Sequence, residues 1–217
     1  MSGTTPDKRP LSRRELLKRA GVAGVAVSLP AGLATTPAAA AIEREQRETF
    51  TAAEAETIEA VLERLIPTDA SGAGAAEAKV SRYIDKALSG ELSSLQGFYS
   101  ANIAALDEYA TAKYGAAFAS LAADKQDAIL SAMEANKATG FSPSSSAFFE
   151  TIREHAIQGM FCDPYHGGNA NFVGWDLIDY PGIKLSVPAR EQQLDVSVPK
   201  AHKSTTDYAI FKISSGG

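Results

Sequence analysis

Apolar residues recur at helical spacing in five successive stretches of the chain, with polar positions between them. Ile58, Val61, Leu62, Leu65 and Ile66 predict one face of a first helix. Thr51 with Glu54 three residues on forms a capping-box pair at its start, and Pro67-Thr68-Asp69 ends it. Val80, Tyr83, Ile84, Ala87 and Leu88 predict a second helix, reached through the small-residue loop from Ser71 to Glu77. A third runs from about Leu92 to Tyr114 with Leu95, Tyr99, Ile103, Leu106 and Tyr109 turned inward. Phe118 and Leu121 lead into a fourth carrying Ile129, Leu130 and Met133. Gly140-Phe141-Ser142-Pro143 interrupts the pattern, and serines 144 to 146 cap a fifth helix with Phe148, Phe149, Ile152, Ala156, Ile157 and Met160 on its apolar face. No alternating strand pattern precedes Gly182 and no internal repeat is visible, so the expected fold is all-α, a single domain of about five helices over residues 50–183.

The periodicity stops in the stretch Gly159–Gly182, GMFCDPYHGGNANFVGWDLIDYPG. Asp163-Pro164 halts a helix, because proline lacks an N–H and biases its predecessor toward extended geometry. Gly167 and Gly168 allow positive φ and close backbone approach, and Asn169 tolerates the left-handed region. Trp175 and Tyr180 carry large apolar bodies with polar tips, and Pro181 stiffens the exit. From residue chemistry alone, an interacting loop and a rigid, self-packed connection stand level. Beyond it the pattern changes again. Residues 184–217 are short proline-punctuated segments ending in the apolar, β-prone run Tyr208–Ile213, expected to be disordered or to lie along a partner.

The amino-terminal end has a different logic. Arg13 and Arg14 sit in a Ser-Arg-Arg-Glu-Leu-Leu-Lys pattern ahead of a mildly apolar run, Ala20–Ala34. That run is too short and too rich in Ala and Gly to span a bilayer comfortably, and Thr36–Ala41 offers small-residue cleavage options. This order predicts a twin-arginine export signal over residues 1–41 and a charged linker over 42–49. A twin-arginine signal is the address of proteins exported already folded, commonly with a cofactor or partner aboard.

Composition narrows the function. The net charge is −5, and loss of the leader removes a basic cluster, leaving the remainder more acidic. That balance argues against nucleic acid or an anionic lipid surface as main partners. Cys162 is the sole cysteine, so no intrachain disulfide forms, and the chain carries neither a haem-attachment motif nor a cysteine framework for an iron–sulfur cluster. Ser71–Glu77 is no dinucleotide loop, because a helix precedes it and Glu77 stands where a third glycine belongs. Serine-hydrolase and zinc-hydrolase motifs are missing. His155, Cys162, Asp163 and His166 lie within twelve positions and form the alternative site, a metal set or a Cys162–His166 pair. Their spacing matches no structural zinc pattern, and a buried, inert cysteine is the simpler reading.

Two segments, FTAAEAETIEAVLERLIPTD at Phe50–Asp69 and FFETIREHAIQGMFCDPYHGGNANFVGWDLIDYPG at Phe148–Gly182, carry a resemblance to the gluconate 2-dehydrogenase subunit 3 family. The resemblance covers most of residues 50–183. It implies a non-catalytic small subunit of a membrane-associated complex, without cofactor of its own. A large subunit would bind FAD and oxidise a sugar, sugar acid or alcohol, and a multihaem cytochrome c subunit, with haem c, would pass electrons on. The small subunit would escort the large one through the twin-arginine translocase to the periplasm. On matching positions, Asp163, Pro164, Gly167, Gly168, Asn169, Trp175, Tyr180 and Pro181 are the family signature, expected to contact the partner or fix the loop. Many members carry tyrosine before the glycine pair where this chain has His166, which makes the contact open to titration.

Overall fold

The computed structural model describes residues 47–211. The signal region with Arg13 and Arg14, most of the linker, and residues 212–217 lie outside them. Among the described residues there are six α-helices and no strand, so the fold is all-α. α1 is Ala52–Leu65, α2 Val80–Ser89, α3 Gln96–Tyr114, α4 Ala123–Glu134, α5 Ser145–Phe161 and α6 Val173–Leu177.

Two of the longer helices, α1 and α5, start where a side chain satisfies a free N–H group. At α1 the Thr51 hydroxyl accepts from the Glu54 N–H, and the Glu54 carboxylate accepts from the Thr51 N–H at 2.8 Å. Ser144 does the same work at α5, accepting from the Ala147 N–H. Ser145 instead turns inward and donates to the Met133 carbonyl. α3 begins four residues later than the sequence suggests. The Leu92 N–H closes on the Ala87 carbonyl at the end of α2, and one 3₁₀ turn, Ser93–Leu95, intervenes. Gly115, at φ 79°, ends α3 in the left-handed region.

α5 is the central rod, packed against α1, α2, α4 and α6. Its buried positions are Phe148, Phe149, Ile152, His155, Ala156, Gly159 and Met160. That stripe corrects one expectation: Ile157 falls off it and is 52% exposed, while His155 takes an inward position. Against α5 lies an aromatic cluster in which Tyr99 and Phe148 meet edge-on at 5.7 Å, with Phe50 and Phe98 beside them. Burial of these faces is the main driving force of the fold.

One buried charge fastens the start of the domain. Asp85 on α2 is 3% exposed, and its carboxylate accepts from the backbone N–H groups of Glu48, Thr49 and Phe50 at 2.7, 3.0 and 2.7 Å. The Thr49 hydroxyl donates to the Asp85 carbonyl, completing the clamp. Nothing in the apolar pattern marks this residue.

The tail takes local turns. The described part of Tyr208–Ile213 forms no strand; Thr205–Asp207 and Ala209–Phe211 are 3₁₀ turns, and residues 200–208 fold back over the loop that follows α5. With no sheet to join, a β-prone run takes local turn bonds instead.

Candidate functional site

The loop after α5 is built around one asparagine. Asn169 is fully buried in the left-handed region, φ 45°. Its N–H donates to the Gly159 carbonyl at 2.8 Å and its amide nitrogen to the Cys162 carbonyl at 2.8 Å, satisfying two acceptors at the end of α5. Its side-chain oxygen accepts from the N–H groups of Gly174 and Trp175, which open α6. A single side chain thus closes one helix and starts the next. The neighbouring Ala170 N–H donates to the Ala78 carbonyl and ties the loop to the approach of α2.

The glycines permit this contact. A Cβ on Gly168 would stand 2.2 Å from the Gly159 carbonyl oxygen, and one on Gly174 would stand 1.8 Å from that of Met160. Gly167, at φ 100°, ends the 3₁₀ turn Pro164–His166. Trp175 lies 4% exposed across the junction, donating its indole N–H to the Phe161 carbonyl at 2.9 Å and meeting Tyr180 edge-on at 4.8 Å. The Tyr180 N–H returns to the Trp175 carbonyl.

The tail is strapped across this junction. Asp163 caps its own turn by accepting from the Tyr165 N–H, and it accepts from the Ser204 hydroxyl and, at 2.8 Å, from the Thr205 N–H. The Ala201 N–H donates to the Pro181 carbonyl at 2.7 Å and the Ile183 N–H to the Lys203 carbonyl. His202 stacks on Phe172 at 5.1 Å and bonds to Asp176, which with Asp179 also holds Lys200.

Burial pushes the Asp163 carboxyl upward, but the bonds from Ser204, Thr205 and Tyr165 outweigh it and hold the group below the usual carboxylate range. A depressed carboxylate contributes stability that is present above its unfolded pKa and lost as pH falls through the folded one. Protection of the Thr205 amide from hydrogen exchange, measured by NMR relative to its unprotected rate, should therefore drop below about pH 4. Amides of α5 should stay protected. Asp163→Asn keeps an acceptor without the titration and should remove most of that pH dependence; an unchanged wild-type Thr205 amide at pH 3 would count against the strap.

The alternative metal or nucleophile set does not gather. Among the described residues no three His, Cys, Asp or Glu side chains are placed to share a cation. His155 is in the core, stacked on Tyr99 and bonded through Nδ1 to its hydroxyl at 2.7 Å, and burial lowers its pKa. Burial likewise raises the Cys162 thiol to about 11, the reverse of what a thiolate nucleophile needs. His166 sits apart, against Tyr165 at the rim of an open cleft of about 240 Å³ shared with Lys86 and Glu91. The Ser71–Glu77 loop is occupied by its own packing, with Gly74 pressed on the backbone of Ile66–Thr68.

The signature thus divides in two. Asp163, Gly168, Asn169 and Trp175 are consumed in holding the junction, whereas His166 and Tyr180 keep exposed surface. Sequence reasoning missed Gly174, Ser204, Thr205 and His202. Gly174 had a local signal in its place beside Trp175, while Ser204 and Thr205 lie more than forty positions from their partner Asp163 and His202 lies twenty-six from Asp176.

The family model described as gluconate 2-dehydrogenase subunit 3 matches residues 52–182. No curated protein and no solved structure matches the chain.

Proposed function

The chain belongs to the gluconate 2-dehydrogenase subunit 3 family, and from that membership we propose that it is a non-catalytic small subunit of a dehydrogenase complex. Its role is to bind a larger FAD-dependent subunit and to supply the twin-arginine signal for their joint export to the periplasm. The larger subunit oxidises a sugar, sugar acid or alcohol, and a cytochrome c subunit with haem c carries the electrons away.

The observation that carries this reading is the family match over residues 52–182, which takes in both α1 and the whole junction after α5. The chemistry of the junction supports it. Its polar groups are engaged in holding the loop and tail together, Asn169 on the backbone of Gly159, Cys162, Gly174 and Trp175, and Asp163 on Tyr165, Ser204 and Thr205. The Arg13-Arg14 pattern supports the export role, because a flavin-loaded partner must cross the membrane folded.

The test is recovery of the full-length chain, tagged at Gly217, from its native host, followed by an absorption spectrum. The expected result is a co-purifying larger protein with a flavin spectrum, absent from the periplasm when Arg13 and Arg14 are both replaced by lysine. A colourless chain recovered alone would overturn the subunit reading; export unaffected by the lysine pair would overturn the escort.

A further inference from the structure

Residues 184–199 leave the junction and return to it, and we propose that this excursion is a docking arm that inserts into an apolar groove of the larger subunit. The proposal rests on the small-subunit reading above. The arm has the form of an Ω-loop, with ends drawn together at a neck. At the neck the Ile183 N–H donates to the Lys203 carbonyl at 3.0 Å, the Ala201 N–H to the Pro181 carbonyl, and the Tyr208 hydroxyl to the Ile183 carbonyl at 2.6 Å. The base is therefore fixed to the family junction.

The arm itself holds its shape by local bonds alone. Lys184 pairs with Glu191, the Gln192 amide donates to the Val187 carbonyl, and the Glu191 N–H donates to the Pro188 carbonyl. It presents Leu185 and Val187 about half exposed and Leu194 fully exposed. Side chains of this kind held out in water mark an interaction surface. Two Ser-Val-Pro triplets, at 186–188 and 197–199, stiffen both limbs and reduce the entropy lost on docking.

The surroundings select the occupant. Lys184 and Arg190 balance Glu191 and Asp195, so the arm lacks the basic excess that an anionic membrane or a nucleic acid would attract. Among the described residues, the helical body from 47 to 161 exposes one large apolar side chain, Ile157, against nine from 162 to 211. A second copy's helical body therefore exposes, among the described residues, little large apolar side-chain surface to the arm. The larger subunit is the partner that fits: a fully exposed leucine, with two half-exposed apolar side chains on the same neutral arm, suits a groove that takes one anchor.

The test uses the full-length chain and the flavoprotein recovered with it. Leu185→Asp, Val187→Asp and Leu194→Asp together should weaken binding, read by titration against the flavin absorbance, by about tenfold or more. Thermal melting of the triple variant should fall little, since Leu194 is fully exposed and Leu185 and Val187 are half exposed on an arm outside the helical core. Leu194→Asp alone, at a fully exposed position that cannot disturb folding, should give part of the loss. In hydrogen exchange, residues 184–199 should gain protection only when the flavoprotein is present. Equal affinity of the triple variant and the wild type for the flavoprotein would overturn the arm alone. So would unaltered flavoprotein binding accompanied by loss of self-association or of binding to phosphatidylglycerol vesicles. A wild-type chain with no affinity for any flavoprotein would bring down the arm and the subunit reading together.

Discussion

Gly174→Ala lowers the stability of the domain by about 3 kcal/mol or more, at the top of the range for overpacking. The added methyl would meet the Met160 carbonyl oxygen at 1.8 Å and the Asn169 side-chain oxygen at 3.1 Å. The first of these is helix backbone, which cannot step aside as a side-chain tip can. α6 must lift from the end of α5, and the bonds from Asn169 to Gly174 and from Trp175 to Phe161 go with it. A loss of this size corresponds to roughly 10 °C in Tm for a domain of this length. Trp175, the sole tryptophan and 4% exposed, reports the same event as a red shift in fluorescence. Gly97 on α3 is the control: its Cβ would have open space, so Gly97→Ala should be neutral or stabilise by up to about 1 kcal/mol. Equal Tm values for the two variants would show that the junction is not the tight contact described.

Asp85→Ala is the second large effect. It removes the acceptor for three backbone N–H groups at once, and the one on Phe50 is buried. Each orphaned donor costs about 1–3 kcal/mol where water cannot replace the carboxylate, so a total of about 3–5 kcal/mol is expected from urea unfolding. Asp85→Asn, which keeps one acceptor, should lose about half as much. Phe50 should also become accessible, because its ring is held in the aromatic cluster beside Tyr99 only while residues 48–50 are clamped. If Asp85→Ala melts within a degree of the wild type, the clamp carries no weight.

The helix faces were legible because burial repeats with the helical period, and that signal is local. Ile58, Ile84, Leu106, Ile129 and Phe148 all read correctly inward. Ile157 did not, because an apolar residue one step off the stripe looks the same in a window until the neighbouring helices fix which side faces them. His155 was misplaced for the complementary reason: Tyr99, fifty-six positions away, supplies the bond that makes an inward histidine acceptable. The junction was legible as residue types and illegible as roles. Gly-Gly-Asn announced unusual backbone, but only the end of α5 shows that Asn169 serves four backbone groups. Asp85 and the strap were out of reach, since their partners lie about thirty-five and forty positions away and hydrogen bonding to backbone N–H groups leaves no mark on the partner's side chain.

The Asp85 clamp has a mechanical meaning as well. Whatever precedes residue 47 is tethered to the domain at the point where Glu48, Thr49 and Phe50 grip one carboxylate. A pull on the chain from that side loads the Arg47–Glu59 pair on the flank of α1 and these three bonds before it reaches the Thr51 cap. Three bonds to one rigid acceptor share the load and yield as a unit, whereas a row of bonds along a strand would peel apart one at a time. The domain thereby gains a strain relief at its leading edge: tension applied to the N-terminal segment is shared between α2, through Asp85, and the flank of α1, through Glu59, ahead of the cap that starts α1.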